Sequence, residues 1–164
     1  MKGEVTIRRA TAGDAAAIAA FVVPVIREGR AYALDRDMSE ADAIAYWFAP
    51  GKQVFVAHDG DCILGSYYLR ANQGGGGAHV ANAGYATDPA ARGRGIAAAM
   101  CAHSLEQARV LGFRAMQFNF VIASNVAAVH LWQRMGFAIV GRLPGAFDDP
   151  VAGAVDALVM YRAL

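Results

Sequence analysis

Two hydrophobic patterns alternate along the chain. In some stretches every second residue is apolar, which is typical of half-buried strands; in others apolar residues recur every three or four positions, as on amphipathic helices. Strands are predicted over 4–9, 53–58, 62–70, 78–87, 114–122, 137–142 and 154–161. Helices are predicted after residue 11, over 43–48, from Gly95 and over 125–135. Because helices do not separate every two strands, this order predicts an α/β fold with one mixed sheet covered by helices.

Local signals mark several element boundaries. Thr11 and Asp14 form the capping box of the first helix, which Pro24 is expected to bend or interrupt. Asp-Gly-Asp at 59–61 predicts a tight hairpin. The four glycines at 74–77 join two predicted strands and lead into no helix. We therefore favour a mobile hairpin tip there over a phosphate-binding loop.

Composition and charge narrow the class of protein. The chain has 164 residues, 56% of them hydrophobic and 18% charged, which predicts a single globular domain over 1–164. A net charge of +1 argues against nucleic-acid binding, and no apolar run reaches the ~18 residues of a membrane span. Cys62 and Cys101 lie far apart without metal-ligand spacing, so we expect two reduced thiols, a cytoplasmic protein and no metal site.

The stretch 88–100 (DPAARGRGIAAAM) breaks two local rules for a helix start. Glycine is a poor helix former, and arginines at a helix N-terminus oppose the macrodipole. Both are explained if a bound polyanion approaches free backbone N–H groups between the glycines, with Arg92 and Arg94 as its charge partners. The alternative is an ordinary surface turn with solvated arginines.

Residues 92–97 match the pattern Gln/Arg-x-x-Gly-x-Gly/Ala of the GNAT superfamily of N-acetyltransferases, where it binds the pyrophosphate of acetyl-CoA. Residues 124–137 (SNVAAVHLWQRMGF) resemble the GNAT segment in which an Asn opens a helix and Gly-Phe begins the next strand. The resemblance implies the GNAT fold: a mostly antiparallel sheet that splays between its fourth and fifth strands, flanked by about four helices. It implies acetyl-CoA as cosubstrate, contacted by Tyr85, Ala86, Thr87, Arg92, Gly93, Arg94, Gly95, Ile96, Ala97, Asn125 and Trp132. Asn125 also suits a simple N-cap.

A narrower resemblance concerns the acceptor. Segments 81–89, 116–120, 141–147 and 155–161 resemble the branch that contains proline-analogue (azetidine-2-carboxylate) acetyltransferases. That resemblance implies that Asn82 and Asn119 face one another across the split and hold the substrate. Neutral amide groups suit a small zwitterion better than a long peptide. The alternative is that both residues bond internally at strand ends.

Acetyl transfer requires alignment, a polarised carbonyl and removal of a proton from the amine. Backbone groups around Tyr85 are candidates to polarise the thioester, and Gly84 fits a β-bulge there or a relief of packing. His79 is the candidate base; the alternative is that it is an ordinary surface residue. Most GNAT enzymes are expected to carry a Tyr acid where this chain has Trp132, and an indole cannot donate a proton at a usable pKa. Trp132 is then a core residue or packs on pantetheine.

The resemblance places Tyr32, Tyr46 and Trp47 in the variable helical region that covers the acceptor site, although Trp47 also suits the core. The sequence thus predicts an N-acetyltransferase that acts on a small amine or amino-acid-like acceptor by direct transfer in a ternary complex. Two alternatives stay open: a protein or peptide N-acetyltransferase, and a non-catalytic acetyl-CoA-binding regulatory module. A homodimer is also left open.

Overall fold

The computed structural model describes residues 4–164. These residues contain a seven-stranded sheet. Its spatial order is β1-β2-β3-β4-β5-β7-β6. All neighbouring strands are antiparallel except β4 and β5, which are parallel. The strands are β1 (Thr6–Arg9), β2 (Gln53–Asp59), β3 (Cys62–Ala71), β4 (Val80–Thr87), β5 (Ala115–Ile122), β6 (Ala138–Asp149) and β7 (Gly153–Ala163).

Helices cover both faces of the sheet and divide the core in two. The helices are α1 (Ala15–Glu28), α2 (Glu40–Trp47), α3 (Ile96–Val110) and α4 (Val126–Arg134). One hydrophobic cluster joins α1 and α2 to the sheet, with Trp47 fully buried in it. The other joins α3 to the opposite face, and α4 adds Val129 and Trp132 to its edge. Side chains alternate between the two faces along each strand, so β3 and β4 contribute to both clusters.

The sheet splits between β4 and β5. Their ladder consists of Val80 opposite Ala115 and Ala81 opposite Met116, and beyond these pairs the two strands separate. This is the splay that the GNAT resemblance implies, so the expected fold class is confirmed. The split leaves one edge of β4 unpaired in the middle of the sheet, where backbone groups are available to a ligand.

Two of the differences from the expected boundaries have a clear physical reason. Pro24 does not interrupt α1, which continues to Glu28. The carbonyl that loses its partner there belongs to exposed Ala20 and can be hydrated. Strand β6 also extends past Pro144 to Asp149 rather than stopping at 142. An edge strand tolerates a proline because no further strand needs its missing N–H, and the register with β7 shifts there.

The sequence leaves two roles open for Gly84, a β-bulge and a relief of packing, and the bulge is absent. Residues 81–87 of β4 pair with β3 without a register shift, and Gly84 lies opposite Tyr68. A Cβ built on Gly84 would lie 2.6 Å from the Tyr68 ring. A side chain at position 84 would therefore displace the Tyr68 ring, which favours the packing alternative.

Candidate active site

A cavity of about 470 Å³ opens where β4 and β5 diverge. Both strands line it, and the segment after α1, one residue of α2, the end of β3 and one face of α4 complete its walls. Its lining includes Tyr32, Tyr46, Tyr68, Arg70, Asn82, Tyr85, Thr87, Ala97, Phe118, Asn119, Asn125 and Trp132. The cavity is thus continuous from the first turn of α3 to the outer end of β3.

Backbone groups of β4 point into the split at alternate residues. The carbonyl of His79 accepts from the Arg114 N–H on the β5 side, whereas the carbonyl of Val80 accepts from Asn72 on the β3 side. Because strand backbone groups alternate in direction, those of Tyr85 and Thr87 face the β5 side, beyond the point where the ladder ends. Their N–H groups are the donors that the split presents. The carbonyl of Tyr85 accepts a hydrogen bond from the Tyr32 hydroxyl.

The side chain of Tyr85 is held in the core beside the split. Its hydroxyl lies 2.6 Å from the Ser104 hydroxyl, and burial raises its pKa well above the usual range. The ring contacts Trp132 and Phe118, with centroid distances of 5.0 and 5.9 Å. These three aromatic rings form an apolar wall along the split, which suits a pantetheine arm.

The glycine-rich loop before α3 is shaped for a close approach of a ligand to the backbone. Gly93 and Gly95 have φ angles of +77° and +78°, and a Cβ built on either meets nothing within 4 Å. The first bond of α3 runs from the Ala99 N–H to the Gly95 carbonyl, so the N–H groups of residues 96–98 have no acceptor within the helix. A diphosphate fits this open, donor-lined loop. Ala97 also lines the cavity, which joins the loop to the split.

The two arginines of this loop have carboxylate neighbours. Arg94 pairs with Asp59 at 3.0 Å, and Arg92 lies 3.9 Å from Glu28. Both pairs are solvent-exposed, where ion pairs contribute little to stability. A bound polyanion can therefore draw either arginine away at small cost.

Half of the site residues predicted from the sequence line one cavity. Asn82, Tyr85, Thr87, Ala97, Asn119, Asn125 and Trp132 all line it. His79 does not; it lies before the first residue of β4, at the opposite end of that strand from Thr87. Ala86 does not line the cavity either; its side chain is buried in the cluster formed with α1 and α2, and its backbone groups point towards β3. Arg92, Gly93, Arg94, Gly95 and Ile96 form the loop beside the cavity.

Asn82 and Asn119 line the same cavity but are held differently. Asn82 is nearly buried, and its Nδ2 donates to the Gln117 carbonyl at 3.0 Å, across the split. Asn119 is exposed; its Nδ2 donates to Asn72 Oδ1 at 2.6 Å, and its Oδ1 accepts from Gln117 at 2.9 Å. The side chain of Asn125 caps α4, accepting from the Ala128 N–H at 3.3 Å. Within the described residues, Oδ1 of Asn82 has no hydrogen-bond partner.

Sequence reasoning missed three residues at the outer end of the cavity. Tyr68 and Arg70 lie on β3 and line it, and Lys52 lies just before β2 beside Tyr46 and Tyr68. The sequence does contain a sign of this, because residues 68 and 70 are two positions apart on a predicted strand and therefore lie on the same face of the sheet. Which face that is depends on strand pairing.

A split mixed sheet, a glycine-rich donor loop at a helix start and a cavity between them define an acyltransferase that uses a CoA thioester. Residues 24–137 match the model of the Acetyltransferase (GNAT) family, so the chain belongs to that family. Domains of this family transfer an acetyl group from acetyl-CoA to an amine, and acetyl-CoA is their cosubstrate. The expected family, enzyme class and cosubstrate are confirmed.

Individual relatives agree with this assignment. N-acetyltransferase aca1 of Schizosaccharomyces pombe is 32% identical over 84 residues, 51% of this chain but only 40% of the relative. The match thus spans less than half of that curated relative's length. A GCN5-related N-acetyltransferase from Kribbella flavida is 39% identical, with a TM-score of 0.92 over 98% of both chains. A phosphinothricin acetyltransferase from Sinorhizobium meliloti, solved with acetyl-CoA, shares the fold with 23% identity and a TM-score of 0.84 over 98% of this chain and 88% of that one.

Two further findings concern membrane-spanning helices and metal-binding clusters in the described part of the chain. None of the helices in residues 4–164 is long and apolar enough to cross a membrane. Over the same range, no three His, Cys, Asp or Glu side chains come together as a metal site would require.

Proposed function

We propose that this chain transfers an acetyl group directly from acetyl-CoA to the amine of a small, amino-acid-like acceptor while both are bound. The observation that carries the proposal is the single cavity that joins the two candidate subsites. Thr87 and Ala97 line it beside the glycine-rich loop, and Asn82 and Asn119 line it beyond the split. Its volume of about 470 Å³ is in the range of small-molecule sites.

Acetyl-CoA, when bound, supplies a thioester whose carbonyl carbon an amine attacks as the CoA thiol leaves. The glycine loop at Gly95 would hold the diphosphate, and the N–H groups of Tyr85 and Thr87 would bind and polarise groups that enter the split. Asn82 would orient the amine. Trp132 has no proton to give, so the thiolate is proposed to take its proton from solvent. His79, the base predicted from the sequence, does not line the cavity and would have to act through water.

The proline-analogue class is our first choice of acceptor. It is supported by the resemblance of segments 81–89 and 116–120 and by the position of Asn82 and Asn119 on the cavity wall. A protein or peptide acceptor is less well supported, because acidic side chains that would attract a basic N-terminus or lysine are missing from the cavity lining in the described chain. A non-catalytic module is the remaining alternative.

A thiol-release assay tests the proposal. The protein is incubated with acetyl-CoA and a panel of proline analogues, amino acids, simple amines and short peptides, and free CoA is measured. We expect release that depends on an amino-acid-like acceptor. Release with peptides alone would favour a protein N-acetyltransferase. Tight acetyl-CoA binding in calorimetry, with no release for any acceptor, would favour a regulatory module.

We also propose that the chain acts as a cytoplasmic homodimer. Its two cysteines are free, and Cys101 is buried as a thiol, which suits a reducing compartment. Edge strand β6 exposes Ile139, Val140 and Leu143 and has a free pairing edge. Light scattering should give twice the chain mass for the natural protein and the single mass for Val140→Lys. A monomeric natural protein would contradict the proposed dimer.

A further inference from the structure

Three polar side chains lie in a row across the outer end of the cavity. In the antiparallel register, Arg70 on β3 is directly opposite Asn82 on β4. On the other side of β3, Gln53 is opposite Leu69, so Lys52, one residue earlier, is the neighbour of Arg70. Directly opposite residues of an antiparallel pair have their side chains on the same face, with Cβ atoms roughly 5 Å apart. Lys52, Arg70 and Asn82 therefore share the face that α1 and α2 cover.

The charge of this row is not neutralised. Arg70 is the only charged residue in the cavity lining of the described chain, and it makes no ion pair with a carboxylate there. An arginine is always protonated in a protein, so this cavity contains a permanent positive charge without a counter-ion. An enzyme site with that property is complementary to an anion.

Lys52 adds a second positive charge behind two tyrosines. Its Nζ lies 3.5 Å from the ring centroid of Tyr46 and 3.9 Å from that of Tyr68, and it donates to the Tyr46 carbonyl at 2.6 Å. Burial, and then the nearby Arg70, lower the pKa of Lys52 to about 8. The hydroxyls of Tyr46 and Tyr68 lie 3.1 Å apart. Together these contacts hold the lysine and both rings in place, and Tyr46, Tyr68 and Arg70 are the charged or titratable groups that face it.

We propose that Arg70, supported by Lys52, is an anion subsite that binds the carboxylate of the acceptor. This inference rests on the proposed function and narrows it to acceptors that carry a carboxylate close to the reacting amine. A guanidinium binds a carboxylate through two parallel N–H···O bonds, which fixes orientation as well as affinity. Asn82 is fixed through Nδ2 to the Gln117 carbonyl, and its Oδ1 is left to accept from the amine. Arg70 and Asn82 thus match the adjacent carboxylate and amine of an amino acid.

The test compares each amino acid that the enzyme acetylates with its carboxamide, which keeps the amine and removes the charge. For Arg70→Met we expect the KM of the acid to rise ten- to a hundredfold, with kcat within a few fold, because a charged hydrogen-bonded pair is lost. The KM of the carboxamide and that of acetyl-CoA should hardly change. Arg70→Lys should restore part of the loss. Arg109→Met, at an exposed ion pair near the C-terminus of α3, is the matched control.

A second measurement separates this inference from the proposed function. N-acetylproline and its carboxamide do not react, so their binding to the protein with CoA can be followed by calorimetry even if no acceptor is turned over. Preference for the acid that disappears in Arg70→Met, without any turnover, would support the anion subsite and overturn the proposed function. Turnover with equal use of acids and carboxamides, or equal losses for both in Arg70→Met, would overturn the subsite. If the protein shows no turnover and also no preference that depends on Arg70, both the proposed function and the anion subsite are overturned.

Discussion

Gly95→Asp should weaken CoA binding while leaving the protein folded. Gly95 has a φ of +78°, and a side chain there would point into open space. The variant therefore loses only the backbone preference, about 1–2 kcal/mol of stability. The new carboxylate would lie beside the diphosphate site. Two unit charges about 6 Å apart repel by roughly 2.8 kcal/mol at an effective dielectric constant of about 20, which is on the order of a hundredfold in affinity.

Gly112→Asp is the matched control. Gly112 follows the C-terminus of the same helix with a φ of +84° and has equally open space around it. Its backbone cost is the same, and a carboxylate at a helix C-terminus adds a few tenths of a kcal/mol or more of unfavourable dipole interaction. Gly95→Asp should therefore be at least as stable as Gly112→Asp in urea unfolding.

Calorimetry with CoA then separates the two variants. Only Gly95→Asp should lose affinity, by at least about tenfold if the added charge is partly screened. Gly95→Ala, which adds a methyl group without charge, should show a smaller loss. Unchanged affinity in a folded Gly95→Asp protein would refute the assignment of the diphosphate to this loop.

Three other predictions concern the cavity. Trp132→Phe should keep most of the acetyl-transfer rate and lose mainly CoA affinity or stability, because the indole packs on Tyr85 and Phe118. A fall of several orders of magnitude in kcat, with folding and CoA affinity intact, would show that Trp132 takes part in the chemistry. Asn82→Ala and Asn119→Ala should each lower kcat/KM for the acceptor roughly ten- to a hundredfold and leave acetyl-CoA affinity unchanged. Intact acceptor kinetics in the double variant would show that both residues are only structural. Asn72→Ala is the control, because it removes only a hydrogen-bond partner of Asn119. The affinity of N-acetylproline should fall as the pH rises through about 8, because Lys52 then loses the proton whose positive charge attracts an anion. Lys52→Met should remove this pH dependence. If the dependence persists in Lys52→Met, Lys52 is not the group that causes it.

Features set by neighbouring residues were predictable from the sequence. The capping box of Thr11 and Asp14 is present, with the Thr11 N–H donating to Asp14 at 2.7 Å, although it caps the 3-10 turn Ala12–Asp14 that leads into α1. The glycines of 92–97 adopt the positive φ that a ligand-binding turn needs, and the loop lies where the motif places it. Such features depend on a few adjacent residues and their backbone preferences, so a single sequence carries them.

Features set by strand pairing were not predictable in the same way. The approach of Arg70 to Asn82 depends on a register fixed across eight intervening residues, 72–79, and a shift of one residue would turn either side chain to the other face. Sequence reasoning therefore found Asn82 through a family resemblance and missed Arg70. Similarly, the extent of β6 beyond Pro144 follows from its place at the edge of the sheet, which the sequence does not state.

The side chains that line the cavity determine how the reaction depends on pH. Among its described lining residues none is Asp, Glu, His, Cys or Lys, and the Tyr85 hydroxyl is bound to Ser104. The Tyr32 hydroxyl donates to the Tyr85 carbonyl, and the hydroxyls of Tyr46 and Tyr68 contact each other. We therefore expect main-chain N–H groups, which do not titrate between pH 6 and 10, to act on the thioester. With a carboxamide acceptor, which avoids the influence of Lys52, kcat/KM should rise with pH up to the pKa of the acceptor's own amine and then level off. The inflection should move when an acceptor of different amine pKa is used. An inflection that stays fixed across acceptors and disappears in His79→Gln would instead establish His79 as the base, because only a group of the enzyme keeps its pKa when the acceptor changes.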